Sequence, residues 1–195
     1  MRRVAVLGAT GSIGRSTLDV IQRHPDRYLV KLLSAHRSVD DMEALCRTHQ
    51  PTHAVMGDPD AAAALADRLA DLSAVTVESG AAVLDDLVAE STVDSIVAGI
   101  VGFAGLRPTL SAARAGKTIL LANKEALVSA GGLFMETVHQ GGATLLPVDS
   151  EHNAMHQCLP VASDGRPDMT DVEQIVLTAS GGPFRGRSRS SLDAV

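Results

Sequence analysis

Two stretches of this sequence have the residue types and spacing that chemistry needs. The first is Gly8-Ala9-Thr10-Gly11-Ser12-Ile13-Gly14, with a glycine at every third position. Glycine lets a backbone turn sharply and lets a pyrophosphate approach main-chain N–H groups. A helix starting directly after such a turn adds free N–H groups and a positive dipole end, which together hold an anion. The second is Asp149-Ser150-Glu151. On extended backbone, side chains two apart face the same way. Paired carboxylates are hard oxygen ligands that suit Mg²⁺ or Mn²⁺. The same residues also read as a helix start, with Asp149 or Ser150 as N-cap and Glu151 in the first turn.

Smaller candidates lie between and after these. In Asn123-Lys124-Glu125 the lysine can hold a phosphate or hydroxyl, or polarise a carbonyl. Asn and Glu can hydrogen-bond a ribose or a nicotinamide amide. Equally, Asn123 can cap a helix and Glu125 can face its dipole. His36-Arg37-Ser38 stands where a fold selective for NAD usually places an acid. A cationic arginine beside a hydroxyl suits the 2′-phosphate of NADP, and a solvated turn arginine is the alternative. Ser180-Gly181-Gly182 offers a hydroxyl and glycine N–H groups as a second phosphate site, or a plain turn. His152 and His156 are four apart, but the H-E-x-x-H pattern is absent. Cys46 and Cys158 read as buried, inert thiols, which weighs against an NADP enzyme with a nucleophilic cysteine, such as a semialdehyde dehydrogenase.

These groups need a scaffold that brings loops to one edge. Apolar runs predict strands at 4–7, 29–35, 53–56, 75–77, 94–100, 118–122 and 143–146, and a further strand at 172–178. Helical patterns fall between them, at 15–23, 40–49, 61–70, 81–89, 108–115 and 126–140, the last containing the Gly131-Gly132 pair. Asp58 before Pro59 reads as an N-cap with proline at the first helical position, and Gly116 as a C-terminal glycine. Alternating strands and helices predict an α/β, Rossmann-like, doubly wound parallel sheet. Ligands in such sheets bind beyond the carboxyl ends of the strands.

Composition agrees. The 195 residues are 45% hydrophobic and only 2% aromatic, so the core must be aliphatic and alanine-rich. A net charge of −6 argues against a nucleic-acid partner. No apolar run is long enough to span a membrane, and the first strand begins almost at the N-terminus, so a cytoplasmic protein is expected.

The glycine stretch with Arg15-Ser16-Thr17-Leu18-Asp19, the run Ala115 to Glu125, the run Leu146 to Ala154, and Ser180 to Arg185 together resemble the 1-deoxy-D-xylulose 5-phosphate reductoisomerase family, in its order. The resemblance implies an NADPH- and divalent-metal-dependent enzyme of the non-mevalonate isoprenoid route, a homodimer at full length. It would rearrange a sugar phosphate and reduce the resulting aldehyde to 2-C-methyl-D-erythritol 4-phosphate. Thr10, Gly11, Ser12, Ile13, Asn123 and Glu125 match cofactor contacts. Lys124, Ser150 and Ser180 match substrate contacts, with Lys124 also catalytic. Asp149 and Glu151 match metal ligands.

Two departures stand out. The family commonly has Gly-Lys-Asn where this chain has His36-Arg37-Ser38, so Arg37 and Ser38 are carried as the 2′-phosphate contacts. The family also continues far beyond residue 195, where a third carboxylate ligand, a lid and a helical domain are expected. Residues 1–148 are thus expected to form the cofactor domain and 149–195 the start of an incomplete α/β catalytic domain. The expectation for the isolated chain is NADPH binding without turnover.

Overall fold

The computed structural model describes residues 1–162, 167–178 and 182–192. They fall into two compact units, Met1–Asp149 and Ser150–Val195.

In the first unit seven strands form one sheet: β1 (Arg2–Leu7), β2 (Tyr28–Ala35), β3 (His53–Met56), β4 (Thr76–Ser79), β5 (Ser95–Ala98), β6 (Thr118–Leu121) and β7 (Thr144–Pro147). Their order is β4-β3-β2-β1-β5-β6-β7, and every pairing is parallel. The connecting helices are α1 (Ser12–Arg23), α2 (Val39–His49), α3 (Pro59–Arg68), α4 (Ala81–Ala89), α5 (Leu106–Arg114) and α6 (Glu125–Gly141). This is the α/β Rossmann-like fold expected from the alternation. The chain runs outward from β1 to β4, then returns to the other side of β1 at β5. That reversal is the switch point, where the loops after β1 and β5 part and leave a crevice.

Successive side chains of a strand face opposite ways, and both faces of β1 are buried. Val4 and Val6 pack with Leu18 and Ile21 of α1, Met42 of α2 and Leu65 of α3. Ala5 and Leu7 pack with Leu87 and Val88 of α4, Leu110 of α5 and Phe134 of α6. The core is aliphatic and alanine-rich as composition requires, with Phe134 a fully buried aromatic.

Local signals hold at several ends. The Asp58 side chain accepts hydrogen bonds from the N–H groups of Asp60 and Ala61, and proline opens α3. Gly116 has φ +70° just past α5, a conformation that glycine adopts without a Cβ penalty. Helix α6 is interrupted, but at Ala130 (φ −144°, ψ 30°), directly before the glycine pair. Cys46 is buried and Cys158 exposed, so only the first fits the expected inert thiol. Burial pushes the Cys46 thiol up to about 12.

The second unit begins with α7 (Ser150–Cys158). Residues 172–178 form no strand, against the sequence expectation. A strand needs a hydrogen-bonded neighbour, and among the described residues none pairs with this apolar run, which leaves Val176 75% exposed. The described residues contain no helix long and apolar enough to cross a membrane.

Candidate functional site

The carboxyl ends of the central strands line up. Leu7 pairs with Ser34 on one side and Ala98 on the other, Ala98 with Leu121, and Leu121 with Pro147. The turns after these strands therefore share one rim. They carry the glycine stretch, residues 36–38, the segment 99–105, Asn123-Lys124 and Asp149.

The glycine stretch is built by main-chain packing. Gly8 has φ +76°, and a Cβ there would lie 2.9 Å from the Gly99 carbonyl oxygen. A Cβ on Gly14 would fall 2.5 Å from the carbonyl oxygens of both Gly8 and Ala9. Helix α1 thus sits against the end of β1 at a distance that only glycine permits. Gly11 is its N-cap, and no side chain caps its first N–H groups. Ser12 and Ile13 open the helix, exposed beside the half-buried Thr10. The result is an uncapped helix start at the switch point, an arrangement that can hold an anion. Arg15 fastens it: its Nε donates to the Thr10 carbonyl at 3.0 Å, and its guanidinium pairs with Asp41 of α2 at 2.7 Å.

On the β2 side, Arg37 and Ser38 are exposed. The Arg37 Nε donates to Asp58 at 2.7 Å. The sequence marked Asp58 as a cap but not as this partner. The available signal was opposite charge just past two strands that pair in parallel.

On the β5–β6 side, Asn123 is not a helix cap, as its position had suggested. It is 4% exposed, and its amide nitrogen donates to the carbonyls of Ile100 (2.7 Å) and Gly102 (2.8 Å). The Gly102 carbonyl also accepts from the Gly105 N–H at 3.4 Å, so the Asn123 amide adds a second tie to an irregular turn. The residue preceding α6 is Lys124, in helical conformation and exposed, followed by exposed Glu125. The Asn123 Oδ1 is buried with no hydrogen-bond partner among the described residues. An unpaired buried acceptor is costly unless a ligand supplies a donor.

Asp149 ends the first unit, two residues past Pro147, and the Val148 N–H donates to Leu121. Ser150 and Glu151 open α7 and are exposed. The extended alignment that would make Asp149 and Glu151 face alike is replaced by a helix start. An acid-serine-acid run directly before a helix favours this, since short oxygen-bearing side chains and early acids suit a helix N-terminus. Among the described residues no group of three or more His, Cys, Asp or Glu side chains gathers as a metal cage. His152 and His156 lie on α7. Ser180 lies outside the described residues.

A wholly parallel sheet, wound both ways from a glycine cradle at its switch point, defines a dinucleotide-fold protein. Its relatives narrow that class. A family model described as 1-deoxy-D-xylulose 5-phosphate reductoisomerase matches residues 4–131, and the C-terminal domain of the same enzyme matches residues 145–195. This chain belongs to the 1-deoxy-D-xylulose 5-phosphate reductoisomerase family. The enzyme of that name from Ralstonia nicotianae is 55% identical over all of this chain and 49% of its own length. The Pseudomonas putida enzyme is 53% identical over 98% of this chain and 49% of its own. Among solved structures, the Zymomonas mobilis enzyme in complex with NADPH is 48% identical over 98% of this chain and 49% of its own, with a TM-score of 0.88. A further reductoisomerase, solved with NADPH, fosmidomycin and magnesium, is 46% identical over 85% of this chain and 40% of its own, with a TM-score of 0.81. The chain spans about half the length of the curated relatives it matches.

Proposed function

We propose that this chain is the cofactor-binding part of a reductoisomerase that converts 1-deoxy-D-xylulose 5-phosphate to 2-C-methyl-D-erythritol 4-phosphate with NADPH and Mg²⁺ or Mn²⁺. The carrying observation is the uncapped helix start at Gly11, held against β1 by Gly14. It belongs to a chain whose relatives were solved with NADPH. In this reading the N–H groups of Ser12 and Ile13, with the Thr10 hydroxyl, hold the pyrophosphate, and Gly11, whose own N–H donates to the Gly8 carbonyl, lets it approach the backbone. Arg37 and Ser38 take the 2′-phosphate. Asn123 and Glu125 receive the nicotinamide end, where the unpaired Asn123 Oδ1 fits an N–H of the carboxamide. The strand order supports this reading: adenosine would fall on the β2 side, pyrophosphate at the end of β1, and nicotinamide toward β5 and β6.

Bound NADPH supplies hydride, and a divalent ion supplies a Lewis acid that can orient two substrate oxygens. The donors of Asp149 and Glu151 are of the right chemical kind for such an ion. Two carboxylates alone hold it weakly, so further oxygen ligands, such as substrate and water, would have to join them. Lys124, exposed at the start of α6, places positive charge near a developing substrate oxyanion. Ser150 and Ser180 bind substrate, Ser180 at its phosphate. The domain division at 148/149, the homodimer and the cytoplasmic setting belong to the same proposal, without a nucleic-acid or membrane partner.

The isolated chain is proposed to bind NADPH without turnover. Titrating it with NADPH while following nicotinamide fluorescence tests the binding. A saturable change is expected, and its absence overturns the cofactor reading. Adding the sugar phosphate and Mg²⁺ tests the second half. Metal-dependent NADPH oxidation at the rate of a full-length relative would overturn the expectation of no turnover.

A further inference from the structure

We propose that Asp58 is a positioning residue for cofactor selectivity: by holding Arg37 through its Nε, it presents the two terminal guanidinium nitrogens to the 2′-phosphate of NADPH. This rests on the NADPH reading above.

The turns after β2 and β3 are laced together. Ala35 pairs with Met56 at the strand ends. The Gly57 N–H donates to the Ala35 carbonyl at 2.8 Å, and the Asp58 N–H to the His36 carbonyl at 3.2 Å. His36 occupies the space that a side chain at Gly57 would fill, its Nδ1 lying 2.5 Å from that Cβ position. Asp58 is therefore fixed with respect to residues 36 and 37 before its side chain is considered.

That side chain is itself committed. Oδ1 accepts from the N–H groups of Asp60 and Ala61, each at 3.1 Å. Oδ2 takes the Arg37 Nε at 2.7 Å. The Asp58 side chain is 18% exposed and that of Arg37 72%. An anchored acid thus holds the inner edge of an exposed guanidinium. Among the described residues, the outer nitrogens of Arg37 have no hydrogen-bond partner. Two N–H donors on one edge of a planar fork match two oxygens of a phosphate.

A carboxylate near an anion site ordinarily repels the anion. Here its charge is met by the N-terminus of α3 and by Arg37 Nε, so little of it faces outward. An exposed ion pair of this kind contributes little to stability. Its effect is to order a long side chain in advance, a cost otherwise met when the ligand binds.

The test titrates NADPH and NADH into the 195-residue chain and its variants by fluorescence. Asp58→Asn keeps a capping side chain but not the charged grip on Nε. Asp58→Ser keeps the cap with no reach to Arg37 and serves if the first variant folds poorly; thermal midpoints check both. The NADPH Kd is expected to rise roughly 3- to 10-fold, the scale of ordering one long side chain, with the NADH Kd unchanged. In an Arg37→Ala background, Asp58→Asn should change neither value further, since the two act as one unit. Unchanged or tighter NADPH binding in Asp58→Asn overturns the proposal, as does equal weakening of both cofactors. An unaltered chain that fails to bind NADPH overturns the parent reading as well, whereas failure in the Asp58 variants alone leaves that reading standing.

Discussion

The side-chain amide of Asn123 donates to the carbonyl of Gly102 at 2.8 Å, so the turn after β6 braces the turn after β5. One side chain thereby sets the far wall of the crevice that opens at the switch point. Asn123→Ala removes that brace and leaves the Ile100 and Gly102 carbonyls without it. The expected loss is about 1–3 kcal/mol, read as a lower urea midpoint at unchanged slope. A variant as stable as the parent would mean that water replaces the amide there.

Arg15 reaches the carbonyl of Thr10 and Asp41 at once. It touches the part of the loop assigned to the pyrophosphate, which NADPH and NADH share. Arg15→Ala should therefore weaken both cofactors by a similar factor, about 2- to 10-fold. Fluorescence titrations with the two cofactors check this, and a loss confined to NADPH would reassign Arg15 to the 2′-phosphate.

Gly14→Ala puts a methyl group 2.5 Å from two carbonyl oxygens. Helix α1 must then move off β1, at a cost of about 1–3 kcal/mol or more. The measurement is a thermal midpoint alongside NADPH affinity, and both should fall. Retained affinity in a destabilised variant would separate the close packing from the cradle.

The Arg3 side chain and main-chain N–H both donate to the Asp94 carboxyl at the start of β5, holding its pKa down to about 2. A carboxyl group with a lower pKa in the folded chain than in the unfolded one stabilises the fold above the unfolded value. That contribution is lost as pH falls through the folded value. Stability should thus decline between about pH 4 and about pH 2, and Asp94→Asn should flatten that part of the curve. Urea midpoints measured across the interval test it, and parallel curves for parent and variant would remove Asp94 from the acid response.

For a full-length enzyme of this family, Asp149→Asn or Glu151→Gln should abolish metal-dependent turnover while NADPH binding stays near the parental value. Steady-state NADPH oxidation and cofactor titration read the two separately. Loss of cofactor binding in step with turnover would mark the pair as structural.

The sheet was legible because its signals are local. Buried runs such as Val4 to Leu7 and Ile96 to Ala98 are apolar on both faces, as strands covered by helices must be. Asp58-Pro59 and Gly116 carry their meaning in one or two residues. Contacts between turns were not legible. Asn123 looked like a cap because caps are local, whereas the bonds that occupy it reach back more than twenty residues. The helix start at Ser150 replaced an extended alignment for a related reason: two carboxylates beside a serine satisfy a metal and a helix N-terminus equally on paper. The run 172–178 has strand composition, but a strand is a property of a pair, and composition does not report its neighbour. The pairing of Arg37 with Asp58 follows only once β2 and β3 are known to be adjacent.

The contact between Gly8 and Gly99 bears on any attempt to redesign this protein. A Cβ on Gly8 would meet the Gly99 oxygen at 2.9 Å, and a Cβ on Gly99 would meet the Leu7 oxygen at the same distance. Here the gap between neighbouring strands is gauged by backbone against backbone. Library mutagenesis therefore has no dial to turn at this spot. Attempts to accommodate a bulkier or differently charged coenzyme have more room farther out, among residues 36–38 and their neighbours in the turn after β3.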